Sequence, residues 1–386
     1  MAWWNVYLIV FGAAALLSLI LTPFCRFLAD KTDFMDRPAG GPSHKRHGKA
    51  TPLLGGVAMC LAWVLTIGVG TLAPSFLRHQ DFSPTVIADL AGTFKVRSQL
   101  GALLLCSVLA TALGAYDDKY NMSAKVKFGG QLLIAAIAVG WGEVRISLFV
   151  HNPVFVWAVS ILWIVVVMNA INFFDNMDGL AVGVAGIAFC FFTIAAAVYS
   201  HHFVACLSAA GAGAAIGFWF FNHTPATIFM GDAGSLFLGF NLAAAGALTT
   251  FYQPGETVSR LSVLIPFFIL AVPLFDMVAV VFIRLWLKKP IYIGDHNHIS
   301  HRFFNMGMPR KEAVLAVHLI TLAIGMGVLP LLWGDERTSA VCFAQACTIL
   351  ILVSVLQYSA RKDRPDPPPP PAPEPEEPAE PEDELT

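Results

Sequence analysis

Apolar residues in this chain come in blocks, and the blocks set the expected fold. Runs long enough to cross a hydrocarbon layer, about 17 to 25 residues with some shortened by interruptions, stand near 3–28, 53–73, 98–115, 129–141, 154–170, 180–199, 203–221, 236–251, 261–286, 313–333 and 339–359. The runs at 129–141 and 236–251 are the weakest. This pattern predicts an all-α, polytopic membrane helix bundle of about eleven transmembrane helices. The first run has no basic segment before it and carries Arg26 at its far end, which favours a retained helix over a cleaved signal peptide. Between the blocks lie short polar segments, and the chemistry collects there.

Composition agrees with the pattern: 56% of residues are hydrophobic and 13% charged, against roughly 25% charged in an ordinary soluble domain. Seven cysteines fall almost entirely inside the apolar runs without a C-x-x-C pair, so they read as small core residues with no disulfide or zinc implied. Charge placement adds an orientation. With alternating loops, one set (29–52, 116–128, 171–179, 222–235, 287–312 and the segment after 359) holds sixteen Lys and Arg and the opposite set six. The positive-inside rule then predicts the first set, and the C-terminus, in the cytoplasm and the N-terminus outside. Residues 1–360 read as the membrane domain. Residues 361–386, a basic start followed by Pro and Glu, read as a disordered, polyproline-like tail.

All polar clusters with chemical potential fall on the predicted cytoplasmic set. Asn169, Asn172, Asp175 and Asp178 repeat every three residues, which lines one face of a helix end with hard oxygen ligands. Asp117-Asp118 stands beside Lys119, Lys125 and Lys127, with Asn121 between; two adjacent carboxylates stay ionised only near cations, as in a magnesium and phosphate site. Gly231-Asp232-Ala233-Gly234-Ser235 permits a tight turn into a helix that Ser235 could cap, with Asp232 read as a metal ligand. The first loop offers His47 and Lys49 ahead of Gly55-Gly56, which would allow a close backbone approach. Asp295 to Arg302 adds His298, His301 and Arg302, donors suited to phosphate. Asp276, inside an apolar run, is an intramembrane acid with either a functional or a pairing role. Together these groups suit a reaction that joins two phosphorylated substrates over a divalent ion, one substrate being a lipid.

The set Asp117-Asp118-x-x-Asn121, Asn169-x-x-Asn172-x-x-Asp175-x-x-Asp178-Gly179-Leu180, Gly231-Asp232-x-Gly234-Ser235 and His298-x-x-His301-Arg302 resembles the polyprenyl-phosphate N-acetylhexosamine-1-phosphate transferase family, over roughly residues 1–330. The resemblance implies a glycosyltransferase that moves a sugar 1-phosphate from a UDP-N-acetylhexosamine to a polyprenyl phosphate such as undecaprenyl phosphate, releasing UMP, with Mg2+ required and Mn2+ a substitute. It implies a multi-pass protein of the inner membrane with its active site on the cytoplasmic face, an early step of cell-envelope polysaccharide synthesis, no nucleic-acid partner and a homodimer as a candidate assembly. By the same analogy Asp232 matches the metal ligand, and Asp117 and Asp118 match an aspartate pair that positions or deprotonates the lipid phosphate. Asp175, Asp178 and Asn172 match groups around metal and nucleotide, with Asn121 and Asn169 beside them. Lys127 resembles a lysine near the diphosphate, His298, His301 and Arg302 a loop that grips the donor, and His47 a histidine of the first cytoplasmic motif.

Two departures stand out: Asn176 follows Asp175 where many members have glycine, and Ser300 replaces a histidine of the His-Ile-His-His form. The triple-histidine pattern of the branch that uses UDP-MurNAc-pentapeptide is missing, which favours UDP-GlcNAc. Two other classes compete. A secondary transporter would carry its acids near the bilayer midplane, often in repeated halves. An intramembrane aromatic prenyltransferase would bind diphosphate through two Asp-rich motifs, but would leave the Gly231-Asp232 and His298-His301 segments without a use.

Overall fold

The computed structural model describes residues 3–37, 50–72, 96–146, 152–249, 260–288 and 298–362. Fourteen α-helices carry nearly all of it: α1 (Trp3–Thr32), α2 (Gly55–Leu72), α3 (Arg97–Tyr120), α4 (Ala124–Gly140), α5 (Pro153–Phe174), α6 (Leu180–Val198), α7 (His202–Asn222), α8 (Gly231–Leu248), α9 (Ile265–Ile269), α10 (Ala271–Trp286), α11 (Ile299–Asn305), α12 (Arg310–Met326), α13 (Val328–Leu331) and α14 (Glu336–Lys362). The exceptions among the described residues are a short 3-10 helix (Arg260–Leu264) ahead of α9 and a pair of two-residue strands between α1 and α2, β1 (Met35–Asp36) with β2 (Thr51–Pro52), antiparallel with Met35 opposite Pro52 and Asp36 opposite Thr51. In hydrocarbon only helices and closed barrels satisfy the backbone, and the chain takes the first solution.

Each of the eleven expected runs overlaps a helix or a linked helix pair. Among the described residues, eight helices are long and apolar enough to span a membrane, or nine if the α9–α10 pair, bent by 75°, is one span. The expected count of eleven exceeds this because α4 and α8 fall short. Their first two turns carry Lys125, Lys127 and Gln131 in α4 and Asp232 and Ser235 in α8, polar residues that face the cluster described below. The protein is thus an all-α, multi-pass membrane protein. Residues 363–386, the greater part of the expected tail, lie outside the described residues.

Local sequence explains the breaks. Asn152 caps α5, its Oδ1 accepting from Val154 N at 2.9 Å and Phe155 N at 3.2 Å, and Pro153 sits in the first turn where its missing N–H is harmless. Pro266 and Pro273 do the same at the starts of α9 and α10. α3 stops where Asn121 turns left-handed at φ 47°, its N–H returning to Asp117 O at 2.8 Å.

Helix α7, rich in Ala and Gly between Ala209 and Gly217, packs against α1 on one side and α6 on the other, as small residues allow in membrane bundles. α8 is nearly all buried between α3 and α5. Three polar side chains inside the bundle bridge helices: Trp63 Nε1 donates to Leu207 O at 3.0 Å, Trp163 Nε1 to Ala243 O at 3.0 Å, and Ser107 Oγ to Asn241 Oδ1 at 3.1 Å. The expected close approach at Gly55-Gly56 is present. Gly55 N and Gly56 N donate to Phe229 O and Met230 O, each at 3.1 Å, and a Cβ on Gly56 would collide with the backbone of Ala233 and Gly234. The start of α2 is thereby pinned to the start of α8.

Candidate active site

Four helix ends meet at one end of the bundle. α3 brings Asp117 and Asp118 in its last turn, α4 brings Lys127 in its first, α5 brings Asn172 in its last and α8 brings Asp232 in its first. Lys127 is the hub. Its Nζ pairs with Asp117 Oδ2 at 2.9 Å, forms an ion pair with Asp232 Oδ2, and donates to Asn172 Oδ1 at 3.2 Å. Asn172 turns its amide nitrogen the other way, donating to Asp232 Oδ1 at 2.7 Å and Ser235 Oγ at 2.8 Å. Asp232 is therefore held through both carboxylate oxygens. None of these side chains is fully exposed, so the charges interact more strongly than they would in open water.

Asp118 has a different use. Its Oδ1 accepts from Asp232 N at 2.8 Å and its Oδ2 from Ala233 N at 3.1 Å, so a residue 114 positions earlier in the chain caps α8. This corrects the expectation that Ser235 caps the helix; Ser235 sits one turn inside α8, where its Oγ donates to Asp232 O at 3.3 Å. A carboxylate at a helix N-terminus also meets the positive end of the dipole. Gly231 makes the turn with φ 62°, and a Cβ there would run into the Asp118 carboxylate. Met122 N donates to Asp117 Oδ1 at 2.7 Å, which fixes the neighbouring acid as well.

The other expected residues fall into three groups. Asn169, one turn back on α5, exchanges hydrogen bonds with Gln131 of α4 (2.7 and 3.4 Å) and braces the pair of helices that carry Lys127 and Asn172. Asn121 serves as the exposed left-handed end of α3, which its backbone accounts for. Asp175 closes α5, and Asp178 Oδ2 accepts from Ala226 N at 3.0 Å, tying the turn after α5 to the segment between α7 and α8. His47 lies outside the described residues.

The third group sits on α11. His298 is buried at its start, His301 and Arg302 are partly exposed in its first turn, and the His298 and His301 rings lie 6.4 Å apart. Asp276 of α10 reaches this turn: its Oδ2 is 2.6 Å from His298 Nδ1 and its Oδ1 accepts from Ile299 N at 2.7 Å. The intramembrane acid thus has a pairing partner, which answers a question the sequence left open. Ser300 Oγ donates to Asn176 Oδ1 at 2.6 Å, so the two residues that depart from the family pattern bond to each other and join α11 to the Asp175–Asp178 turn. Asn222 is a structural residue that motif reading missed: its Oδ1 accepts from Gly179 N and its amide donates to Ile228 O, both at 3.0 Å. Its signal was a lone amide at the end of an apolar run.

The cluster carries three carboxylates and one ammonium, an acid-rich group at one end of the helix bundle. Among the described residues no three His, Cys, Asp or Glu side chains converge as a ready metal cage. Magnesium in phosphoryl-transfer sites is held by one or two carboxylates plus substrate phosphates. Asp117, Asp232 and Asn172 already surround a cation, the Lys127 ammonium, with hard oxygen atoms, so the donor set fits a magnesium ion.

Sequence comparison gives this membrane-embedded, acid-rich site its class. The family model described as glycosyl transferase family 4 matches residues 100–250, the stretch that runs from α3 through α8. A probable undecaprenyl-phosphate N-acetylglucosaminyl 1-phosphate transferase of Bacillus subtilis is 31% identical over 360 residues, 91% of this chain and 90% of that one. A decaprenyl-phosphate N-acetylglucosaminephosphotransferase of Mycobacterium leprae is 27% identical over 377 residues, 91% of this chain and 90% of its own. A phospho-N-acetylmuramoyl-pentapeptide-transferase of Geobacillus kaustophilus is 34% identical over a shorter stretch, 62% of this chain and 72% of its own. The chain belongs to glycosyl transferase family 4, the polyprenyl-phosphate N-acetylhexosamine-1-phosphate transferases that its motifs resemble.

Proposed function

We propose that the protein transfers N-acetylglucosamine 1-phosphate from UDP-GlcNAc to undecaprenyl phosphate or another polyprenyl phosphate, releasing UMP. The observation that carries this reading is the Asp117–Lys127–Asp232–Asn172 cluster, assembled where four helix ends of a membrane bundle meet. There a water-borne nucleotide and a membrane-borne phosphate can both reach the same groups. The long matches to relatives named for N-acetylglucosamine phosphate transfer support the sugar. The missing triple-histidine pattern argues against the muramoyl-pentapeptide branch.

The second pKa of a phosphate monoester is near 6, so the acceptor needs little help to become a dianion at neutral pH. Its oxygen attacks the β-phosphorus of UDP-GlcNAc, the bond from that phosphorus to the bridging oxygen breaks, and UMP leaves with the electron pair. Positioning and charge neutralisation supply most of the rate. Lys127, aimed by Asp117 and Asp232, offers an ammonium to the diphosphate. His298, His301 and Arg302 hold the donor's phosphates from α11. Asp232, with Asp117 and Asn172, would hold magnesium, and manganese can replace it in the same oxygen set. Bound there, the metal supplies neutralisation of charge on the diphosphate. Direct attack is favoured over an aspartyl intermediate because both oxygens of Asp118 are engaged by backbone amides and both oxygens of Asp117 by Met122 N and Lys127. In the resting site each of these oxygens is committed to holding a backbone amide or the Lys127 ammonium.

We assign the N-terminus to the outside and the site to the cytoplasmic face of the inner membrane from the Lys and Arg distribution. α4 and α8 join the other spans to make eleven crossings, and residues 1–360 form the transferase domain. The test is UMP release from UDP-GlcNAc by purified protein with undecaprenyl phosphate and magnesium, beside UDP-MurNAc-pentapeptide and the D232A variant. UMP that requires lipid, metal and Asp232 is expected. Release from the pentapeptide donor alone, or equal release by D232A, would overturn the reading.

A further inference from the structure

Three features of α11 stand outside the cluster around Lys127, and each holds its first turn in place. Asp276 takes His298 Nδ1 and Ile299 N, Asn176 takes Ser300 Oγ, and Gln357 near the end of α14 donates to Ile299 O at 3.1 Å. Asp276 is the least expected of them. It is an acid on a membrane-buried helix, only 2% exposed, and His298 is 4% exposed. A bare acid in that setting is costly; here one oxygen caps α11 and the other holds an imidazole.

The consequence is chemical as well as structural. A carboxylate can only accept, so the imidazole nitrogen that faces it carries the proton. The hydrogen bond at Nδ1 fixes the ring plane and leaves Nε2 as the nitrogen available to a ligand. We infer that Asp276 is a positioning residue for phosphate transfer, acting through His298: it holds the Nδ1-protonated imidazole so that Nε2 serves the UDP-sugar donor. The inference rests on the proposed reaction for its substrate, although the Asp276–His298 bond stands independently of it.

Cap and histidine roles can be separated by chemistry. Asp276→Asn is nearly isosteric and keeps an oxygen for Ile299 N, so α11 stays capped. Its amide nitrogen, however, presents a donor where Nδ1–H also donates. His298 must then give up the bond or change tautomer. The expected result is a fall of about 10- to 100-fold in kcat/KM for UDP-GlcNAc, the usual size for a residue behind a histidine, with KM for the polyprenyl phosphate unchanged. A purely structural Asp276 would lower the amount of active protein and leave KM for both substrates alone.

The experiment compares wild type, D276N, H298Q and the double variant by UMP release, each checked for folding by its melting temperature in detergent. If Asp276 acts through His298, the double variant is no worse than H298Q. If D276N costs the same factor with and without His298, the inference falls. A second arm needs no activity. Nitrogen NMR of 15N-histidine-labelled wild type, with the His298 signals identified by their loss in H298Q, should show Nδ1 protonated and that state lost or exchanging in D276N. An unprotonated Nδ1 in wild type overturns the inference. Should wild type release no UMP from UDP-GlcNAc, the proposed reaction fails, and the NMR arm still decides the role of Asp276.

Discussion

Asp118 tests how far the acid pair is divided between building the site and running it. Its two oxygens accept two backbone N–H groups at the start of α8, at 2.8 and 3.1 Å. A hydrogen bond to a charged group contributes about 1.5–3 kcal/mol, and the helix dipole adds about 0.3–1 kcal/mol. The site is only partly buried, so water can replace some of what is lost and the lower figures apply. Asp118→Ala should then cost about 3 kcal/mol. Asp118→Asn keeps one acceptor and turns its amide nitrogen toward the other N–H, and should cost roughly half as much. The effect passes to Asp232, whose own N–H is one of the two capped groups; displacement of a catalytic group by about 1 Å lowers rate on the order of 100-fold. Melting followed by tryptophan fluorescence in detergent, together with UMP release, reads both consequences. D118A should melt several degrees below wild type, D118N should fall between, and activity should drop in both. If D118A melts like wild type while activity vanishes, Asp118 is a reacting group and the capping argument is wrong.

Other substitutions follow from the same geometry. Gly231→Ala places a Cβ against the Asp118 carboxylate in a residue with φ 62°; a left-handed backbone costs about 1–2 kcal/mol for a residue with a Cβ, so lower melting and weak activity are expected, and full activity in a UMP-release assay would refute the packing argument. Ser300→Ala removes one hydrogen bond between α11 and the Asp175–Asp178 turn, worth about 1 kcal/mol. It should raise KM for UDP-GlcNAc severalfold with little change in kcat, and steady-state kinetics that show the reverse would deny α11 a donor-binding role.

The membrane fold was legible because lipid imposes so simple a rule on backbone and composition: every long apolar run overlaps a helix or a linked helix pair. The two weakest runs were weak for a reason that periodicity does not show. α4 and α8 carry Lys127 and Asp232 in their first turns, so each gives part of its length to a polar cluster instead of to apolar residues. The site was legible as a set of residue types, and the convergence of Asp117, Lys127, Asn172 and Asp232 follows from helices of similar length ending on one side. What sequence could not supply was pairing across long separations. Asp118 capping α8 spans 114 positions, and Ser300 meeting Asn176 spans 124. Asp118 and Asp117 look alike in the chain, and only the neighbouring helix start separates a cap from an ion-pair partner. The partner of Asp276 is likewise remote in sequence: His298 Nδ1 lies 2.6 Å from its carboxylate, 22 positions on.

The wiring of Lys127 carries one further step of reasoning. Its ammonium has three protons and three acceptors, Asp117, Asp232 and Asn172, so no proton is left over for a substrate. To contact a diphosphate it must release one of them. If it releases a carboxylate, a charge in a partly buried pocket loses its cation, which is costly unless another cation takes the vacant side. Donor binding and divalent-ion binding should therefore be linked, and linkage is reciprocal: magnesium raises affinity for UDP-GlcNAc by the same factor as UDP-GlcNAc raises affinity for magnesium. Magnesium also binds nucleotide diphosphates in solution, so the meaningful quantity is the difference between wild type and Lys127→Met. In that variant the two carboxylates face each other with no ammonium to exchange, and the metal is drawn in before the donor arrives. Calorimetric titration of UDP-GlcNAc across a range of magnesium concentrations should show a steeper dependence in wild type than in K127M. Equal slopes would mean that Lys127 stays with its acids throughout, and that the diphosphate is gripped from the α11 side instead.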